Sequence, residues 1–176
     1  FYRNVISSKT KIDIVEIDPS VITLAKSWFR LRESRRTRVH TTDAILYLVS
    51  SSALYDFILL DAYDGPLLSD RFSSTEFFSL ASTSLAAGGI CAANISLRTR
   101  REEAATRQAF ARAFSTDSLE VQMPSDWNRL LVGSASKLAS PETVHQTARE
   151  ADRRGDFAFP LTPFAKRARR LRVRQS

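Results

Sequence analysis

Five acids stand where apolar segments end: Glu16 and Asp18 close KIDIVEID, Asp43 follows RVHTT, and Asp61 and Asp64 fall in LLDAYD. A carboxylate set in or just beyond an apolar strand loses hydration unless something pairs with it, so each of these positions asks for a partner. Glu16 suits a ribose, because one carboxylate can accept hydrogen bonds from both hydroxyls at once. Asp18, followed by Pro19, suits a helix N-cap. Asp43 reads equally well as the cap of a helix opening at Ala44 or as a site residue. Asp61 and Asp64, three apart in a loop leaving an apolar strand, gain nothing evident for folding and point to ligand chemistry.

The elements that must position these acids alternate. Residues 11–18 carry apolar side chains at 12, 14, 15 and 17, which suits a strand covered on both faces. After the Asp18–Pro19 signal, Val21, Ile22, Leu24, Ala25, Trp28 and Phe29 recur at helical spacing and predict a core-facing helix. A strand over 38–42, a helix over 44–50 and a second fully apolar strand over 55–62 follow. A loop over 63–73, a helix over 74–86, and a strand over 89–95 entered through Gly88 and Gly89 come next. A helix over 101–114 then leads to segments 119–123 and 129–133, read as an antiparallel pair closing the sheet. Strands separated by helices in this rhythm predict an α/β three-layer sandwich with a Rossmann-like, mostly parallel sheet. Ligands of such a sheet bind beyond the carboxyl ends of its strands, where all five acids lie.

The chain has 176 residues, of which 43% are hydrophobic and 26% charged, enough for one sizeable core and too apolar for a disordered tail. Residues 1–160 read as one domain. The run from Leu161 to Ser176 holds six basic residues and no acid, most of the net charge of +7, and reads as a solvated basic tail able to touch RNA, an acidic partner or a membrane surface. With one cysteine, Cys91, expected as buried filler, and two distant histidines, no disulfide and no metal site is expected. No apolar run approaches a membrane span and no export signal stands at the start, so a soluble, cytoplasmic protein is expected. A start at Phe1, running almost at once into a strand, reads as a fragment or a processed product.

Three linked blocks, IVEIDPSVITLAKSWF, RVHTTDAILYL and YDFILLDAYDGPLLSDRFSSTEFFSLASTSLAAGGICAANI, together resemble the spermidine synthase-like branch of the class I S-adenosylmethionine-dependent transferases. The likeness covers about residues 11–96. It implies S-adenosylmethionine or its decarboxylated form as cofactor, and aminopropyl or methyl transfer to a small-molecule amine or a protein acceptor; the oligomeric state is left open, a homodimer being one of the options. Residue by residue, it implies that Glu16 grips the ribose hydroxyls, Ile17 lines the adenine pocket, and Asp43 with Ala44 meets the adenine edge. It places Asp61 beside the sulfonium and the incoming amine, and gives Asp64 the task of holding or orienting that amine.

The sequence departs from the family pattern in three places. The glycines stand at 65, 88, 89, 133 and 155, so the glycine-rich turn that should follow an earlier strand is not among these residues, and a domain truncated at its amino end is expected. On that reading Phe1 to Ser7 would end the helix after that turn, and the central strand is missing. The loop reads DAYDGP, with Tyr63 and Gly65 where family aminopropyltransferases carry small residues and proline. Their amino-terminal β-hairpin region is not present. A non-catalytic scaffold or an RNA- or protein-binding subunit is the alternative these departures and the basic run motivate. Arg98, Arg100 and Arg101 are open between attraction of an acidic substrate and a solvated helix start. Trp127 and Asn128 are open between the roof of an acceptor pocket and a turn.

Overall fold

The computed structural model describes residues 9–64, 67–68, 70–96, 99–114, 118–123 and 128–171, and only the backbone of 64, 67, 68 and 70. The chain divides into two compact units, Phe1–Ser52 and Ala53–Ser176.

In the first unit, β1 (Ile12–Glu16) pairs in parallel with β2 (Thr37–Thr41), in the register Ile14↔Val39 and Glu16↔Thr41. Helix α1 (Pro19–Trp28) begins at the expected cap, Asp18, whose Oδ1 accepts from Ser20 N at 2.7 Å. Hydrogen bonds from Ser20 hold the Asp18 carboxyl below the ordinary carboxylate range. Helix α2 (Ala44–Ser50) begins at Asp43, whose Oδ1 accepts from Ile45 N at 2.8 Å and Leu46 N at 3.1 Å. The face of α1 expected as core is mostly exposed. Ile22 is buried, whereas Trp28 and Phe29 are 78% and 82% exposed. Helical spacing specifies that a face is apolar, and a two-stranded sheet offers little area to cover it.

The strands of this unit are tied across the ladder. Asp13 on β1 accepts from Arg38 Nε at 2.8 Å and Arg38 Nη2 at 3.1 Å, and His40 Nε2 lies 3.1 Å from its Oδ1. The His40 ring packs on Tyr47 of α2 with centroids 4.7 Å apart.

The second unit is built on a five-stranded sheet, in the order β3 (Tyr55–Leu60), β6 (Leu85–Ile95), β8 (Arg129–Ser134), β7 (Ser118–Gln122), β9 (Ala168–Arg170). Two short strands, β4 (Tyr63–Asp64) and β5 (Leu67–Leu68), form a separate antiparallel pair. β3 and β6 are parallel, linked through α3 (Thr75–Thr83). The other three pairings are antiparallel, including the expected closing pair β7 and β8. The expectation of a mostly parallel sheet is therefore corrected for this unit: after α4 (Arg100–Ala113), the consecutive strands β7 and β8 are joined by a short connection, which favours antiparallel pairing, and β6 and β9 flank this pair in the opposed sense. The strand expected over 55–62 is also not covered on both faces. It is an edge of the sheet, and Phe57 and Leu59 are exposed.

β6 begins at Leu85, inside the range expected as helix. The ladder shifts between Tyr55↔Leu85 and Phe57↔Ile90. Gly88 has φ +77°, and a side chain on Gly89 would come within 2.7 Å of the Tyr55 carbonyl, so the paired glycines permit the bulge. An aromatic ladder runs through the core along α3 and α4, from the 3-10 turn before α3 to the cap that ends α4. Phe72, Phe77, Phe78, Phe110 and Phe114 stack in sequence with centroids 4.5–5.6 Å apart, in the tilted and edge-to-face geometries that aromatic quadrupoles favour. A capping box between Thr99 and Glu102 starts α4.

As far as Leu171, the basic run expected as a solvated tail enters the fold. After α5 (Pro141–Arg154), which ends at the left-handed Gly155, a short helix α6 (Thr162–Ala165) leads into β9, which pairs with β7. Ala165, Ala168 and Leu171 are buried while Lys166, Arg167 and Arg169 are exposed, so small apolar residues interleaved with the arginines supply the inward face.

Candidate functional site

In the first unit, Glu16 stands at the carboxyl end of β1. Its Oε1 accepts from Asp18 N at 2.9 Å, which fixes the turn into α1, and Oε2 accepts nothing among the described residues. This bond is the partner that a half-buried strand-end carboxylate requires. Ile17, next in the chain, is 63% exposed, an apolar side chain offered at the strand end. Asp43 and Ala44 occupy the N-cap and first position of α2. The cap reading of Asp43 is thus realised: its Oδ1 is spent on two backbone N–H groups.

In the second unit, Asp61 is exposed and follows β3 directly. The parallel register Leu60↔Ala93 brings the next residues, Asp61 and Asn94, side by side, and Asn94 Nδ2 donates to Asp61 Oδ1 at 2.9 Å. Asn94 Oδ1 in turn accepts from Asn128 Nδ2 at 3.3 Å, and the Asn94 carbonyl accepts from Tyr63 Oη at 3.2 Å. Burial, and then the negative charge of Asp61, push the Tyr63 phenol above its ordinary value. Next to Asn128, Arg129 pairs with Glu103 of α4 and donates to Gln122 of β7, which anchors the start of β8. Asp64 lies in β4, and its side chain is outside the described residues, as are Gly65, Arg98, Trp127 and residues 1–8. Arg100 and Arg101 are exposed in the first turn of α4.

Asn94 and Tyr63 were not singled out as site residues by sequence reasoning. The signal for Asn94 is a lone amide near the end of GGICAANI, an otherwise apolar strand, where the same strand-end rule applies. Cys91, three residues earlier, is 1% exposed, and burial pushes its thiol up to about 12, so it is a packing residue. Among the described residues no group of three His, Cys, Asp or Glu side chains is arranged to hold a metal ion, and no helix is long and apolar enough to cross a membrane.

This chain is 31% identical over 164 residues to the polyamine aminopropyltransferase of Vibrio vulnificus (strain CMCP6), a match covering 89% of the chain and 51% of that protein. The chain thus spans about half the length of this curated relative. Among solved structures, a probable spermidine synthase from Corynebacterium glutamicum superposes with a TM-score of 0.72 at 22% identity, over 85% of this chain and 56% of that one. Human methyltransferase-like protein 13 in complex with SAH superposes with a TM-score of 0.71 at 24% identity, over 86% of this chain and 74% of that one. These likenesses establish the α/β Rossmann-like methyltransferase fold. With the profile of the spermine/spermidine synthase domain matching residues 1–119, the acids at these strand ends stand in a chain that belongs to the spermine/spermidine synthase domain family.

Proposed function

We propose that this chain carries the catalytic machinery of a cytoplasmic transferase that moves an aminopropyl or methyl group from decarboxylated S-adenosylmethionine or S-adenosylmethionine to an amine. Family membership supports the donor class. The observation that carries the reading is Asp61: an exposed carboxylate at the carboxyl end of a strand, held by a neutral amide and paired with no basic side chain among the described residues.

The residues of the first unit fit a nucleoside. Glu16 has one oxygen with no partner among the described residues and a second that carries a single hydrogen bond, enough acceptor capacity for two ribose hydroxyls. Exposed Ile17 is suited to lie against an adenine ring. Asp43 and Ala44 are assigned to the adenine edge. When bound, the cofactor supplies a sulfonium that activates the carbon next to it.

The rest falls to the protein. An alkylamine with a pKa of about 10 is protonated at neutral pH, so a carboxylate attracts it and the attacking nitrogen must shed a proton before it can form a bond. Asp61 binds the ammonium, aligns the nitrogen and receives or directs the departing proton; Asp64 holds the acceptor from the same loop. Alignment supplies much of the acceleration because the donor carbon is already activated.

Asp61→Asn in the complete protein tests the assignment. Transfer to a diamine, assayed with each donor and followed by mass spectrometry of the product, is expected to fall at least about 100-fold. Full transfer by that variant overturns the role of Asp61. The mass of the product separates aminopropyl from methyl transfer.

A further inference from the structure

We infer that Asn94 is a positioning residue for this reaction: held by Asn128 and braced by Tyr63, its amide sets the rotamer of Asp61 so that one carboxylate oxygen is kept for the amine. The inference rests on the role proposed for Asp61.

Three observations carry it. The amide of Asn94 can be placed in only one sense. The Asp61 carboxylate only accepts, so Nδ2 must face it, since the flipped amide would set oxygen against oxygen; Oδ1 is then left to accept from Asn128 Nδ2. The peptide of Asn94 is fixed from the acid-bearing loop itself, by the Tyr63 hydroxyl on its carbonyl. Finally, Oδ1 of Asp61 is engaged while Oδ2 accepts nothing among the described residues.

The choice of an amide has a chemical consequence. A lysine or arginine in this place would also fix the carboxylate, but its charge would compete with the incoming ammonium. A neutral donor orders Asp61 and leaves its negative charge to the substrate. Ordering before the amine arrives removes a rotamer cost from the reacting complex. Asn128 acts one step further out, and Arg129, locked to Glu103 and Gln122, keeps that step in place.

The test uses Asn94→Ala and Asn128→Ala in the complete protein, with Asp61→Asn as the reference. Three-bond NMR couplings report the χ1 distribution of Asp61. kcat and acceptor KM are measured at saturating donor, and donor Kd separately. Asn94→Ala is expected to turn a single Asp61 rotamer into an average and to lower kcat/KM for the amine about tenfold or more, with donor Kd unchanged. Asn128→Ala is expected to act in the same direction more weakly, and serves should Asn94→Ala yield little folded protein. A single Asp61 rotamer with normal transfer in both variants, while Asp61→Asn is inactive, overturns the positioning role alone. A fully active Asp61→Asn overturns the role of Asp61 and the positioning role with it.

Discussion

The side-chain amide of Asn94 donates to the carboxylate of Asp61 across 2.9 Å, joining residues 33 positions apart at the carboxyl ends of two neighbouring parallel strands. The contact follows from register. With Leu60 paired to Ala93, the residue leaving β3 and the next residue of β6 come level where the sheet's strand-end loops emerge. Strand-end position and a neutral hydrogen-bond donor thus meet at one carboxylate.

The Tyr63 phenol reports that carboxylate. Burial and the charge of Asp61 both raise its pKa, so Asp61→Asn removes the second cause and lowers the pKa while leaving the first. An ultraviolet titration, with Tyr63→Phe to identify the signal, is expected to show one tyrosine above the ordinary range in the parent and closer to it in Asp61→Asn. Identical titrations would place the charge elsewhere.

Asp43 joins a local structural task to a proposed binding task, and the two separate by measurement. Asp43→Ala removes the acceptor for Ile45 N and Leu46 N and is expected to cost about 1 kcal/mol in a urea melt. Asp43→Ser keeps an N-cap and restores most of that stability. If nucleoside affinity stays low in Asp43→Ser, the adenine contact is separate from the cap.

Asp13 couples the first unit to acid. Desolvation raises its pKa, but hydrogen bonds from Arg38 and His40, with the charges of both, outweigh that and leave it below the ordinary carboxylate range. A lowered folded-state pKa stabilises above the unfolded value, and the contribution is lost as pH falls through the folded value. Asp13→Asn is therefore expected to be less stable than the parent at pH 7, by about 1 kcal/mol because Arg38 is largely solvated, and to converge with it below pH 3.8. Denaturant midpoints across pH 2–7 check this; a gap that widens in acid would contradict it.

Much of this organisation is legible in the residues. Asp18–Pro19 and Asp43–Ala44 announce their helices because a cap is a local interaction within three residues. The strand–helix alternation and the pairing of β7 with β8 follow from apolar runs and short connections. What was not legible depends on partners distant in sequence. The Asn94–Asp61 bond needs the β3–β6 register, which a bulge at Gly88–Gly89 adjusts. α5 buries little more than Ala148 and Ala151, too faint a stripe to stand out, and β9 hides inside an arginine-rich run because an edge strand needs only one inward face. For α1, Trp28 and Phe29 mark an apolar face, but periodicity does not name what covers it.

The most direct test of the central claim is calorimetric titration of the complete protein, and of its Glu16→Ala variant, with S-adenosylmethionine, its decarboxylated form and methylthioadenosine. Binding of at least one of these near micromolar Kd, about −8 kcal/mol, and at least about tenfold weaker in Glu16→Ala, is the expected result. A folded protein that binds none of the three, or binds them equally well without the Glu16 carboxylate, would contradict it.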